Sequence, residues 1–428
     1  MRPPIVLYEY DTLKVGDNLE FTPNDLASLQ NFHSKNSSFY SLVNHGVKFN
    51  QFVGVLRVGN LTIEILPKAD RGNSELSNNS KESLWRSLLI GMLKSVGTFD
   101  VQSSENSQLK LRSNHILDLY FELFISEVES LLHKGLVRKY RKTEGNQKAL
   151  KGSLHFAKHL QQNVVHKERF YVRYTTYDKE HTLHKILYKT ILLIHSLNTN
   201  PVLKSRESSL LLNFQEMPDI AVSEALFDRI KLDRKTLHYA NALQIAKLLL
   251  LNYHPDLSRG RNDVLALLFD MNKLWEKFVF VTIRNKIEGF IVKEQVPKKF
   301  WQGENQTPKK IKPDIVIWKE KESDSEKSFV IDTKWKIVDD KPSDDDLKQM
   351  YVYAKFFRSE KVFLFYPGSE SIKHNGNFFH EFDKSPNIEC SLIKVSVQKN
   401  ENTSSNIGKF QEEIMHSIKK NILESSGI

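Results

Sequence analysis

Between residues 312 and 336 the chain reads KPDIVIWKEKESDSEKSFVIDTKWK, two short apolar runs joined by a charged loop. Runs of this length, rich in Ile, Val, Phe and Trp and bounded by charge, fit buried strands, and the loop between them makes hairpin partners of the two. A strand core has no use for charge, yet Asp314 stands at the head of the first run and Asp332 lies inside the second. Strand side chains alternate, so Asp332 and Lys334 project from one face while Ile331 and Thr333 project from the other. Asp314, at the start of the partner strand, reaches the same place.

Two carboxylates brought that close repel, and a divalent cation is the usual remedy. A hard Mg²⁺ held by Asp314, Asp332, the backbone carbonyl of Thr333 and waters polarises a phosphodiester and lowers the pKa of an attacking water. Lys334 then either orients that water or stabilises the charge developing on the phosphate. The next stretch, PSDDDLKQMYVYAKFF (342–357), opens with Ser343 and Asp346 at capping-box spacing. On the helix so started, Gln349 and Tyr353 are four apart and share a face, where they either bond a DNA phosphate or brace the metal site. A Pro-Asp pair or an Asp-x-Lys triplet alone is commonly a turn or a solvated strand face. Their ordered conjunction, each on its own strand and followed by this helix, points to a nuclease centre.

The charge balance agrees. Lys and Arg number 62 against 52 Asp and Glu, a formal net charge of +10, which in an aromatic-rich folded chain suits a polyanionic partner. Nucleic acid ranks ahead of a membrane surface, because no stretch sets Lys/Arg opposite a broad apolar face and none reaches the ~18 apolar residues of a span. The N-terminus lacks the pattern of a secretory leader, and Cys390 is the one cysteine, which excludes a disulfide framework and a Cys-based zinc site. A cytoplasmic protein is expected.

At 428 residues the chain exceeds one ordinary core. FVGVLRVGNLTIEILPK (52–68) carries Gly59-Asn60 between two apolar strands, a strong hairpin signal. Residues 68–83 are polar and aperiodic, a loop. Stretches 84–97, 116–136, 182–196 and 236–252 show apolar residues three and four apart, the stripes of core helices. From residue 263 a long helix is expected, then strands near 289–294, 314–318, 328–337 and 361–367, a helix near 344–358 and a strand from 390. The fold class expected is multidomain α+β, with an N-terminal β-rich module (1–75), a mainly helical region (76–260) and a C-terminal α/β domain with a mixed sheet (261–428). The pairs His155/His159 and His181/His184 lack a third ligand and read as structural. The lysine-rich run PKKFWQGENQTPKKIK (297–312) leads directly into Asp314 and fits contact with a DNA backbone.

Pro313-Asp314, Asp332-Thr333-Lys334 and the Gln349/Tyr353 pair resemble the PD-(D/E)xK nuclease motif in its RecB-like branch. With FVGVLRVGNLTIEILPK, LLIGMLKS and FDMNKLWEKFV, the wider chain resembles McrC, the nuclease subunit of modification-dependent McrBC restriction systems. The likeness is weakest between residues 97 and 258. It implies a restriction-endonuclease-like C-terminal domain and a Mg²⁺-dependent endonuclease, with Mn²⁺ as the expected substitute, acting on double-stranded DNA with modified cytosine. It also implies a partner, a McrB-like AAA+ GTPase hexamer that binds the GTP and reads the modification, engaged through the N-terminal module and part of the helical region. The hairpin of residues 53–66 is then either a structural ribbon or a piece of that arm. No G-x-x-x-x-G-K-[ST] is present, so any motor must be another chain. By the same likeness Glu276 is a candidate further acid near the metal. Two other readings stand beside this one: a non-catalytic adaptor of the partner NTPase, and a stand-alone repair nuclease.

Overall fold

Turn chemistry and apolar patterning set the first elements: β1 (Ile5–Tyr8), β2 (Thr12–Lys14), α1 (Pro23–His33), β3 (Tyr40–Val43), β4 (Gly46–Phe49), β5 (Phe52–Val58), β6 (Leu61–Leu66) and α2 (Asn78–Ser95). The middle of the chain forms α3 (Ile116–Lys134), β7 (Lys139–Gln147), β8 (Ser153–Leu154), α4 (Phe156–Asn163), β9 (Phe170–Asp178), α5 (Thr182–Leu197), α6 (Pro201–Asn213), α7 (Glu224–Asp228), α8 (Ala240–Leu251) and β10 (Tyr253–His254). The remainder forms β11 (Val264–Asp270), α9 (Met271–Lys286), β12 (Phe290–Glu294), β13 (Lys298–Trp301), β14 (Lys309–Ile311), β15 (Ile315–Lys319), β16 (Ser328–Thr333), α10 (Asp344–Phe357), β17 (Lys361–Gly368), β18 (Ile372–Asn377), β19 (Glu389–Ser396) and α11 (Asn406–Leu423). This computed structural model describes residues 3–33, 38–68, 78–96, 115–254, 263–304, 306–319, 328–336, 338, 341–368, 370–379, 388–396 and 406–423. Of the loop expected at 68–83, residues 69–77 lie outside them, as does the loop joining β15 to β16, whereas residues 78–83 are not loop but the first turns of α2.

Two units emerge, one from Met1–Asn106 with Pro255–Ile428 and one from Ser107–His254. The N-terminal strands therefore pack with the C-terminal region, and α2 packs on α9 and α11 there.

In the first unit the Gly59-Asn60 hairpin forms as its sequence requires, with Gly54 opposite Ile65 and Val58 opposite Leu61. Strand β1 adds in parallel to β6, and β11 lies antiparallel on β5. Nearly every residue of β5 and β6 is buried, so the hairpin is a core ribbon. Gly54 has φ +133°, and a Cβ there would stand 2.1 Å from the Leu267 carbonyl oxygen, so only glycine lets β11 approach. The segment 264–270 corrects the helix expected from residue 263. A continuous apolar run carries no helical stripe, and pairing with β5 satisfies its backbone. The helix starts at Met271, where Asp270 caps it by accepting from the N–H groups of Asn272 and Lys273.

The second sheet of this unit has the order β12-β15-β16-β17-β19-β18. Strands β12, β15 and β16 are antiparallel neighbours, whereas β16, β17 and β19 run parallel. The parallel step from β16 to β17 needs a crossover, and α10 supplies it. One face, carrying Val316, Val330, Val362 and Leu364, packs on Met350, Tyr353, Ala354 and Phe357 of α10. Behind the other, the Trp275 ring of α9 meets those of Phe365 and Phe410.

In the second unit α3, α5, α6 and α8 pack together, joined by a sheet of order β7-β9-β8 within the span expected to be mainly helical. His184 is buried there, with Nδ1 2.6 Å from the Lys179 carbonyl and Nε2 2.9 Å from the Tyr239 hydroxyl, and burial pushes its pKa down to about 4. It is a satisfied core histidine. No helix among the described residues is long and apolar enough to cross a membrane.

Candidate active site

The hairpin register places Ile315 opposite Ile331. One step further, Asp314 faces Asp332, on the sheet face that α10 covers. Asp332 is 1% exposed at the end of β16. Beyond it the Lys334 N–H donates to the Phe365 carbonyl of β17, which continues the strand direction and turns the ammonium back to 2.7 Å from Asp332 Oδ2. That approach is off the axis of a hydrogen bond, so the buried Oδ2 has no aligned donor.

Each neighbour of this pair has a fixed task. Asp314 Oδ2 accepts from the Thr333 N–H at 2.7 Å and from its hydroxyl at 2.9 Å. Gln349 Oε1 lies 3.4 Å from Lys334 Nζ, the Gln349 amide donates to the Tyr353 hydroxyl at 2.7 Å, and that hydroxyl donates to the Lys312 carbonyl at 3.0 Å. The Gln349/Tyr353 spacing thus forms a bracket from the ammonium to the chain entering Asp314. Ser343 caps α10 by accepting from the Asp346 N–H, which fixes where both residues fall.

Glu276 reaches the site indirectly. Gln295 donates to Glu276 Oε1 at 2.6 Å and approaches Asp314 Oδ1 at 3.4 Å, while its backbone N–H donates to the Asp314 carbonyl at 3.0 Å. Gln295 has φ +51°, a left-handed conformation rare for a side-chain-bearing residue, here fixed by those bonds. Sequence reasoning missed Gln295, and no spacing rule announces a residue whose place depends on its backbone conformation. It also missed the role of Asp346, whose Oδ2 accepts from Lys336 Nζ at 2.6 Å and the Tyr366 hydroxyl at 3.1 Å.

The electrostatics follow from this crowding. Burial, then the charge of Asp314, pushes the Asp332 carboxyl up to about 7 against the pull of Lys334. Burial also raises Asp314, opposed by its bonds from Thr333, and raises Glu276, with Asp314 adding to it. For Lys334 burial works downward, but Asp332, Asp314 and Asp346 outweigh it and hold the ammonium protonated. Repelling buried oxygens with one cation among them suit a hard divalent ion. Among the described residues no three Asp, Glu, His or Cys side chains converge as a ligand set, so an ion here would rest on Asp314 and Asp332, with waters or substrate completing it.

The family model described as McrBC 5-methylcytosine restriction system component matches residues 47–367, a span that contains all of these groups. No curated protein matches the chain. A chain of the refined half-complex from a tetradecameric assembly of Thermococcus gammatolerans McrB AAA+ hexamers with bound McrC aligns over 98% of this chain and 100% of its own length. The TM-score is 0.71 at 18% identity. A chain of the Thermococcus gammatolerans McrBC complex aligns over 66% of this chain and 87% of its own, with TM-score 0.50 and 18% identity. At that identity the likeness is one of fold.

Proposed function

Because the chain belongs to the family of McrBC 5-methylcytosine restriction system components, we propose that it is a McrC-like, Mg²⁺-dependent endonuclease subunit. It cuts DNA containing methylcytosine in the cytoplasm while docked on, and stimulating, a McrB-like AAA+ GTPase hexamer that binds the GTP. The observation that carries the reading is the convergence of Asp314, Asp332 and Lys334 on one sheet face, with the Gln349–Tyr353 bracket behind them. It supports a PD-(D/E)xK domain in the C-terminal part of the chain.

When bound, Mg²⁺ supplies Lewis-acid polarisation of the phosphodiester and a lowered pKa for the attacking water. Asp314 and Asp332 hold it, and the Thr333 N–H and hydroxyl orient Asp314 for that task. Lys334, 2.7 Å from Asp332, donates to the water or to the phosphate oxygen as negative charge grows. Gln349 and Tyr353 aim Lys334, and Glu276 acts on Asp314 through Gln295. The buried 52–66 ribbon is structural in this reading, which leaves docking on the partner to other surfaces.

The test is cleavage of cytosine-methylated and unmethylated plasmid by the full chain with Mg²⁺, alone and with its cognate AAA+ protein, with and without GTP. Cutting confined to partner, GTP and methylated DNA is expected. Cutting by the chain alone would identify a stand-alone nuclease, and no cutting under any condition would identify an adaptor.

A further inference from the structure

Strands β13 and β14 form a separate two-stranded ribbon that ends three residues before Asp314. Its register sets Lys299 directly opposite Lys310 and Trp301 opposite Lys309. Like charges directly opposite one another destabilise a ladder, and among the described residues no carboxylate pairs with Lys299 or Lys310. Both lysines are exposed, as are Phe300 at 49% and Trp301 at 52%. Lys309 Nζ lies 5.7 Å over the Trp301 ring, a cation–π contact within the ribbon.

The ribbon is anchored to the site. Lys298 Nζ donates to the Phe356 carbonyl at 2.8 Å and sits 4.3 Å over the Phe357 ring, while the Phe300 and Phe356 rings stand 5.5 Å apart. All of these contacts are with the end of α10, the helix that carries Gln349 and Tyr353. From Lys310 to Asp314 is four residues, at most about 14 Å of chain. Along a duplex that is about four base pairs.

We propose that the β13–β14 ribbon is a DNA-backbone clamp, in which Lys299, Lys309 and Lys310 contact phosphates within about four base pairs of the scissile bond and Trp301 packs against the neighbouring sugar. The phosphates relieve the repulsion between Lys299 and Lys310, and a two-stranded ribbon is narrow enough to follow a groove. Such contacts position the duplex without reading its sequence. This assignment rests on the nuclease reading above.

The test uses the full chain carrying Asp332→Ala, so that DNA is bound and not cut, with fluorescence anisotropy of a labelled duplex over a series of salt concentrations. Adding Lys299→Ala with Lys310→Ala should weaken binding by about 10-fold or more and make the slope of log Kd against log salt shallower by about 1.8, roughly 0.9 per lost phosphate contact. Trp301→Ala should weaken binding with the slope kept. The double lysine variant should unfold at no lower temperature than its parent, because a like-charge pair is gone. Unchanged affinity and slope would overturn the clamp and leave the nuclease reading intact. A parent that binds no duplex would also overturn the clamp, while the plasmid assay judges the nuclease reading independently.

Discussion

Replacing Asp332 by alanine should lower DNA cleavage by at least ~10³-fold while the chain stays folded and still stimulates the proposed GTPase partner. The carboxylate is 1% exposed, its Oδ2 lacks an aligned donor, and burial lifts its pKa to about 7. Keeping that group ionised works against folding, since burial and the charge of Asp314 outweigh the Lys334 ammonium 2.7 Å away. Alanine relieves that burden, and the Lys334 ammonium, on a side chain 27% exposed, keeps Gln349 and solvent as partners. The loss should therefore be chemical and not structural, which gel cleavage, thermal melting and GTP hydrolysis measured on one preparation would resolve. Asp332→Asn should behave alike, because an amide of the same shape cannot supply the anionic ligand.

Trp275→Ala should destabilise the unit that holds the site by ~3–5 kcal/mol, read as a lower urea midpoint for that transition. Trp275 is fully buried, with the rings of Trp335, Phe365, Phe410 and Phe278 at centroid distances of 5.4, 6.0, 5.7 and 6.2 Å. Its indole N–H is buried with no partner, so its contribution is packing. The cavity would open beneath Phe365, whose carbonyl accepts from the Lys334 N–H. Cleavage should fall with stability, and Trp275→Phe should recover part of both.

The centre of the site was legible because its signal is local. Strand parity puts Asp332 and Lys334 on one face, helix periodicity puts Gln349 beside Tyr353, and Ser343 marks the helix start, and all three relations recur in the structure. What was not legible depends on contacts distant in sequence. The 264–270 run has no period, and only its pairing with β5 makes it a strand. The Trp335 indole donates to Glu9 Oε1 at 2.6 Å across 326 residues, tying the N-terminal sheet to the strand end that carries Lys334. No spacing rule reaches that far. Gln295 was hidden for a different reason, since its place between Glu276 and Asp314 follows from a positive φ and not from residue type.

The most direct test of the central claim, that Asp314 and Asp332 form a hard-cation site, is calorimetric titration of Mg²⁺ into the full chain and into its Asp314→Asn and Asp332→Asn variants, with no DNA present. Binding by the parent and its loss in both variants is the result predicted here. Equal binding by all three proteins would place the ion elsewhere and contradict the site.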